Sequence, residues 1–205
     1  VIKDKPRGFT VWFTGLPCSG KSTIAVLLEE KLHERGFPNV EVFDGDEVRR
    51  NLSADLGFSK EDRDKHILRL GYLCHLLTRN GVPNMAAVIA PYRAIRDAVR
   101  AEVGRFVELY VECPVEVCAE RDVKGMYAKA FRGEIKNFTG VSDPYEEPLN
   151  PEITVKTDKE SVEESVAHIL SRLEEFGYIE PADYVYSEEE KRTIQTKLKG
   201  LGYIE

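Results

Sequence analysis

Long apolar runs are missing from this chain. No stretch of its 205 residues approaches the roughly eighteen apolar positions of a membrane-spanning helix. The opening Val1-Ile-Lys-Asp-Lys-Pro-Arg7 lacks the pattern of a secretory signal. Cysteine is scarce: Cys18, Cys74, Cys113 and Cys118 form no CxxC pair and no Cys/His metal spacing. A disulfide framework and a zinc ribbon are therefore excluded, and reduced thiols in a cytoplasmic protein are expected. Positive charge is not in excess either. Lys and Arg number 29 against 36 Asp and Glu, a net charge of −7, which argues against a general nucleic-acid binder. Lys and Arg are wholly absent between Glu174 and Glu190, and the seven acidic residues of that window leave the rest of the chain neutral. Within that neutral body Arg49, Arg50, Arg63, Lys65, Arg69 and Arg79 fall close together. Such a local cationic cluster suits an anionic substrate, although any one of these arginines could equally be an ordinary solvated charge.

What is present is a phosphate loop. Residues 15–23, Gly-Leu-Pro-Cys-Ser-Gly-Lys-Ser-Thr, fit G-x-x-x-x-G-K-[ST] without a mismatch. The β-branched and aromatic run Phe9–Thr14 before it reads as a strand, and Ile24, Leu27, Leu28 and Leu32 after it recur at helical spacing. In that context successive backbone N–H groups and a helix N-terminus converge on a phosphate chain. Gly15, Ser19, Gly20 and Thr23 build the loop. Lys21 is placed to reach the β/γ-phosphates, and Ser22 to ligate Mg²⁺.

Further along, the chain alternates strand and helix patterns. The first helix is expected to stop at Gly36, with a short strand at Val40–Phe43 ending in Asp44-Gly45-Asp46. Ser59-Lys-Glu-Asp62 reads as a capping box opening a long helix with Ile67, Leu70, Cys74 and Leu77 inward. The apolar run Met85–Ala90 reads as a buried parallel strand, followed by a helix over 93–103, a strand at Phe106–Val111 and helices near 115–121 and 125–131. Residues 132–151 have no period and three prolines, the last of them Pro151, and they read as a lid. A last strand at Ile153–Val155 precedes a helix capped by Thr157–Glu160, with Val162, Val166, Ile169 and Leu173 inward. The expected fold is α/β: a five-stranded parallel sheet of the P-loop kinase type flanked by helices, with a mobile lid. One domain is expected over 1–177, with an acidic linker and short helix over 178–205. The helix ends Leu173–Glu180 and Leu198–Glu205 rhyme, each with Gly at the position of a Schellman stop. The second copy reads as the same helix stop used again or as a surface that packs on a neighbouring subunit.

Four blocks resemble the adenylylsulfate (APS) kinase family. They are 15–23, Asp44–Ser59, Glu61-Asp-Arg63 and Lys136-Asn-Phe-Thr-Gly-Val141. The resemblance runs from about Gly8 to Phe176. It implies transfer of the ATP γ-phosphoryl group to the 3′-hydroxyl of adenosine 5′-phosphosulfate, with Mg²⁺ and in a homodimer, free-standing or associated with ATP sulfurylase. By the same resemblance Lys21 and Asp46 are the catalytic residues, with Asp46 facing the 3′-hydroxyl. Asp44 is either a metal-side carboxylate or a turn former. Arg49 and Arg63 hold the phosphosulfate, Phe58 and Phe138 sandwich the APS adenine, and Lys124 lies near the nucleotide. Arg121 sits near the ATP base. His66 stands where the family usually has Asn, so its charge is expected to vary with pH. Ala90 precedes Pro91 where the family often has Ser, which leaves direct in-line transfer rather than a phosphoserine route.

Taken from the residues alone, alternatives stay open. Asp46 also suits the cap of the next helix. Phe58 suits a core aromatic, whereas Phe138, in a polar and proline-rich segment, is harder to explain as core. Another small-molecule P-loop kinase and a non-catalytic regulatory nucleotide-binding module are the competing functions.

Overall fold

The computed structural model describes residues 8–181; the acidic linker, the expected C-terminal helix and the second Gly stop lie outside them. Strand β1 (Thr10–Thr14) is buried along its whole length. Its odd and even positions feed two separate cores. Val11 and Phe13 pack with Ile24, Leu28, Leu32, Ile169 and Leu173. Trp12 packs on the other face with Ile67, Leu70, Cys74, Val99 and Phe106. A strand covered on both faces belongs in the middle of a parallel sheet. The order is β2 (Glu41–Asp44), β3 (Asn84–Ala87), β1, β4 (Phe106–Glu112), β5 (Ile153–Lys156), all neighbours parallel. Helices α1 (Lys21–Glu34) and α7 (Val162–Glu175) cover one face, and α3 (Lys60–Arg79) and α4 (Arg93–Val103) the other. The short helices α2 (Gly45–Leu52), α5 (Val115–Glu120) and α6 (Met126–Phe131) stand at the carboxyl edge, where parallel sheets collect ligands.

Several local expectations are corrected. The strand expected over Met85–Ala90 leaves the ladder after Ala87. Its last carbonyls turn to side chains instead: Ile89 O accepts from Thr14 Oγ1 at 2.7 Å, and Ala90 O from Arg96 Nη1 at 2.7 Å. Ala90 is left at φ 43°, a left-handed conformation unusual for a residue with a Cβ. The cap of the last helix is Ser161, not Thr157–Glu160; its hydroxyl and the Glu164 carboxylate close a complete capping box. Thr157 is unavailable because its hydroxyl donates to Ser19 O at 2.9 Å. At Ser59 only half of the expected box forms, since the Asp62 carboxylate accepts from Gly57 N. The inner face of α3 ends on Thr78 rather than Leu77, where Thr78 meets Thr10 and Asn84 in a buried hydrogen-bonded group. The Schellman stop at Gly177 does form: Tyr178 N donates to Leu173 O and Gly177 N to Glu174 O, both at 2.9 Å.

Candidate active site

The phosphate loop is held in shape from below. A Cβ on Gly15 would lie 2.5 Å from Val111 O, so only glycine lets the loop pass this close to β4. Gly20 turns into α1 at φ 99°. Ser19 is fully buried, and neither it nor Gly15 reaches the cavity wall: these two support the loop that Gly20, Lys21, Ser22 and Thr23 present. Lys21 folds back, its ammonium donating to Gly15 O (3.0 Å), Leu16 O (2.6 Å) and Ser19 Oγ (3.3 Å). Burial pushes its pKa down to about 8. A phosphate chain entering the loop supplies the charge that this ammonium lacks.

At the end of β2, Asp44 performs two jobs. Its Oδ1 caps α2 by accepting from the amides of Asp46 and Glu47. Its Oδ2 accepts from Ser22 Oγ at 2.9 Å. The capping role weighed for Asp46 therefore belongs to Asp44, and the Asp46 carboxylate is free to project into the cavity. There it pairs with Lys124, whose ammonium is held charged above its ordinary range by that carboxylate. The Ser22–Asp44 pair offers hard oxygen atoms of the kind a small divalent cation takes. Among the described residues no group of three or more His, Cys, Asp or Glu side chains could hold a metal alone.

The basic side of the site is built by α2, α3 and the long loop. Arg49 lies over the ring of Phe58 with its carbon 4.6 Å from the centroid, and Arg63 stands 5.8 Å from the same ring. Burial and the neighbouring Arg63 charge lower the pKa of Arg49. Phe58 is 59% exposed, which removes the core reading for it. Phe138 is the opposite case. It is buried at 8% exposure and meets Tyr127 edge-on at 5.0 Å, in a small core with Cys113 and Cys118. A core role for Phe138 thus exists, because the cluster comes from α5 and α6, invisible in the local polar segment; it lines the cavity as well.

Of the loop 132–151, only part lines the cavity. Arg63 holds Asn137 O at 2.6 Å and Thr139 Oγ1 at 3.1 Å. Residues beyond Ser142 are bound to the body instead. Asp143 accepts from Tyr92, Tyr145 bonds Thr14, and Glu146 bonds the backbone of Pro91 and Arg93 and the side chain of Arg96. The segment beyond Ser142 thus packs along the body rather than over the cavity.

His66 is 5% exposed, with Nδ1 3.0 Å from Ser53 Oγ. Burial, then the charges of Arg49 and Arg69, push its pKa down to about 4. The imidazole therefore stays neutral around pH 7, and the expected variation of its charge with pH moves into the acid range. The unfolded chain binds a proton near the ordinary value of 6.5 that the folded chain refuses. Stability should thus fall as pH drops from about 6.5 and stop responding near 4, a loss on the order of 3 kcal/mol. Asn at this position should remove most of that slope. Urea unfolding of the His66→Asn variant between pH 4 and 7 checks it; an unchanged slope would assign the titration elsewhere.

One cavity of about 1030 Å³ joins Lys21, Ser22, Asp44, Asp46, Arg49, Phe58, Arg63, His66, Ala90, Arg121, Lys124 and Phe138. Its volume is at the upper end for a site holding one small molecule. The wall continues into a second region that sequence reading passed over, Thr157 to Ser165 between β5 and α7. Arg121 borders it, donating to Thr157 Oγ1 at 3.1 Å and Thr157 O at 2.6 Å. The signal for Thr157 was its place just past a parallel strand's carboxyl end.

The adenylylsulphate kinase family model matches residues 7–156. An adenylyl-sulfate kinase of Rippkaea orientalis (strain PCC 8801 / RF-1) is 58% identical over 175 residues, covering 85% of this chain and 96% of the relative. A probable bifunctional SAT/APS kinase 2 of Sorangium cellulosum (strain So ce56) is 58% identical over 172 residues, 84% of this chain but 29% of its own length. The structure of the Mycobacterium tuberculosis APS kinase in complex with AMPPNP and APS is 43% identical, with a TM-score of 0.77 over 82% of this chain and 99% of that one.

Proposed function

This chain belongs to the adenylylsulphate kinase family, and on that premise we propose how its site divides the work of moving the γ-phosphoryl group of ATP to the 3′-hydroxyl of adenosine 5′-phosphosulfate, giving PAPS and ADP. Phosphoryl transfer asks for positioning and charge stabilisation more than for covalent chemistry. The loop amides and Lys21 take the β/γ-phosphate oxygens, and Lys21 leaves its loop carbonyls to do so. Ser22, with Asp44 behind it, would hold Mg²⁺, which would supply charge neutralisation at those oxygens. Asp46 accepts the proton of the attacking hydroxyl. Lys124 holds that carboxylate in place until substrate arrives. Arg49 and Arg63 offer planar forks to the phosphosulfate, and Phe58 with the edge of Phe138 receives its adenine. His66 contributes a neutral donor or acceptor beside Arg49. Ala90 has no hydroxyl to phosphorylate, so the phosphoryl group passes directly between the two nucleotides. The remaining surroundings belong to the same reading: a cytoplasmic homodimer, associated with ATP sulfurylase in some settings, as in the bifunctional relative.

The observation that carries this reading is the meeting of Asp46 with the phosphate loop in one cavity whose wall also holds two arginines and Phe58. ADP release from MgATP, with and without APS, and direct detection of PAPS form the test. Strong APS-dependent turnover is the expected result. Nucleotide binding without turnover would instead favour a regulatory module, and turnover with a different acceptor another P-loop kinase.

A further inference from the structure

Tyr92 stands at the N-cap of α4, a position that favours Ser, Thr, Asp or Asn. Its side chain makes no cap bond. The first amide of the helix is served by the Glu146 carboxylate instead, which accepts from Arg93 N at 2.7 Å. The Tyr92 hydroxyl turns elsewhere and donates to Asp143 Oδ2 at 2.8 Å. The residue is 4% exposed, with the Lys60 ammonium 4.5 Å from the centre of its ring. Burial, then the Asp143 carboxylate, pushes its pKa up to about 12, so the hydroxyl keeps its proton and donates across the neutral range. Neither Tyr92 nor Asp143 lines the cavity. The pair therefore acts on a ligand only through something else.

What the pair holds is the turn that carries Phe138. Phe138 O accepts from the amides of Val141, Ser142 and Asp143, each at 3.0 Å, and Phe138 N donates to Ser142 Oγ at 3.0 Å. A segment bonded to itself in this way holds its shape, so a bond at Asp143 helps to set where the Phe138 ring lies. The hydrogen bonds that tie residues 137–143 to the rest of the described residues come from two side chains. Arg63 donates to Asn137 O at 2.6 Å and to Thr139 Oγ1 at 3.1 Å, and Tyr92 donates to Asp143. Arg63 is also assigned above to the phosphosulfate. A guanidinium drawn to that anion has fewer donors left for the turn. The Tyr92 hydroxyl, away from the cavity, keeps its bond whatever Arg63 does.

We propose that Tyr92 is a positioning residue for the acceptor: its hydroxyl, through Asp143, fixes the turn that presents the Phe138 ring to the acceptor's adenine. The proposal rests on the kinase reading for the place of that adenine. A turn already in place spares the acceptor the cost of ordering it, and that saving shows as affinity rather than as rate.

Tyr92→Phe removes one oxygen and keeps the ring beneath Lys60. The KM for APS should rise about 3- to 10-fold, with kcat and the equilibrium affinity for ATP within about twofold of the parent. Asp143→Asn, which keeps an acceptor oxygen for the hydroxyl, should retain most of the parent's affinity. Because Tyr92 acts through Phe138, Tyr92→Phe should cost nothing further in a Phe138→Leu background, which leaves an apolar side chain in that small core. Hydrogen exchange at the amides of Val141, Ser142 and Asp143 reads the turn without any substrate, and it should quicken in Tyr92→Phe. An unchanged KM for APS in a variant that turns over would overturn the proposal. So would an effect that adds in full to that of Phe138→Leu, or a loss that falls equally on ATP and APS, the mark of a merely structural tyrosine. If exchange quickens but neither parent nor variant shows APS-dependent turnover, the kinase reading fails and the hold of Tyr92 on the turn stands.

Discussion

The Asp46→Asn variant should lose about 10²- to 10⁴-fold in APS-dependent turnover while folding normally and binding ATP almost as before. The side chain is isosteric, so the change removes the proton acceptor and little else. Three features of the structure separate this outcome from misfolding. The Asp46 side chain is 69% exposed, so no packing depends on it. The cap of α2 is Asp44, so the helix keeps its N-terminal hydrogen bonds. The partner lost is Lys124, itself exposed, and exposed pairs contribute about 0–1 kcal/mol. Lys21→Ala forms the comparison. It removes a group that touches the donor phosphates, so it should weaken transition-state stabilisation by at least about 10²-fold and weaken ATP binding too. Steady-state kinetics and direct ATP binding on both variants separate acceptor activation from donor binding. Turnover within tenfold of the parent in Asp46→Asn would mean that Asp46 only positions the hydroxyl or is not engaged at all.

The second large effect is on stability. Arg96 is 2% exposed and spends its guanidinium on three partners: Glu108 Oε1 (2.8 Å), Ala90 O (2.7 Å) and Glu146 O (2.7 Å). Glu108 is held from its other oxygen by Arg100, which in turn grips Glu152. Removing Arg96 leaves Glu108 with only the part-exposed Arg100 and strips Ala90 O and Glu146 O of a buried donor, and breaking a buried pair in this way costs about 3–5 kcal/mol. For a chain of this size Arg96→Ala should lower Tm by roughly 6–20 °C. The double variant Arg96→Met with Glu108→Leu should recover much of that loss, since no lone charge remains. Thermal unfolding of the set decides the matter. A single variant less than about 1 kcal/mol below the parent would mean that water reaches Glu108. The network also fixes the site. It anchors Ala90 at the cavity wall and the loop at Glu146, so a loosened Arg96 variant should bind APS less well at temperatures where it is still folded.

The phosphate loop was readable because its chemistry is contiguous. Loop amides, Lys21 and Ser22 are set by nine consecutive residues and by the strand and helix on either side, so local spacing carries the geometry. The alternation of strands and helices was readable for a similar reason, since each helix shows its own period to the core. Helix α2 was given no range from the sequence; it is eight residues long and buries only Val48. The role of Asp44 was divided between metal side and turn, and the structure finds it in contact with both Ser22 and the start of α2.

Taken alone, the sequence determined that a nucleoside triphosphate's phosphates are gripped at the edge of a parallel α/β sheet, because one short motif dictates one backbone conformation. Its resemblance blocks also determined the family. The tertiary structure alone decided which environment each side chain meets. It buried His66 and so kept it neutral, placed Phe138 in a core drawn from α5 and α6, and set Arg96 against Glu108. Burial and pairing arise from contacts between residues far apart in the chain. Desolvation and charge interactions depend on those distances in space, which no local spacing encodes.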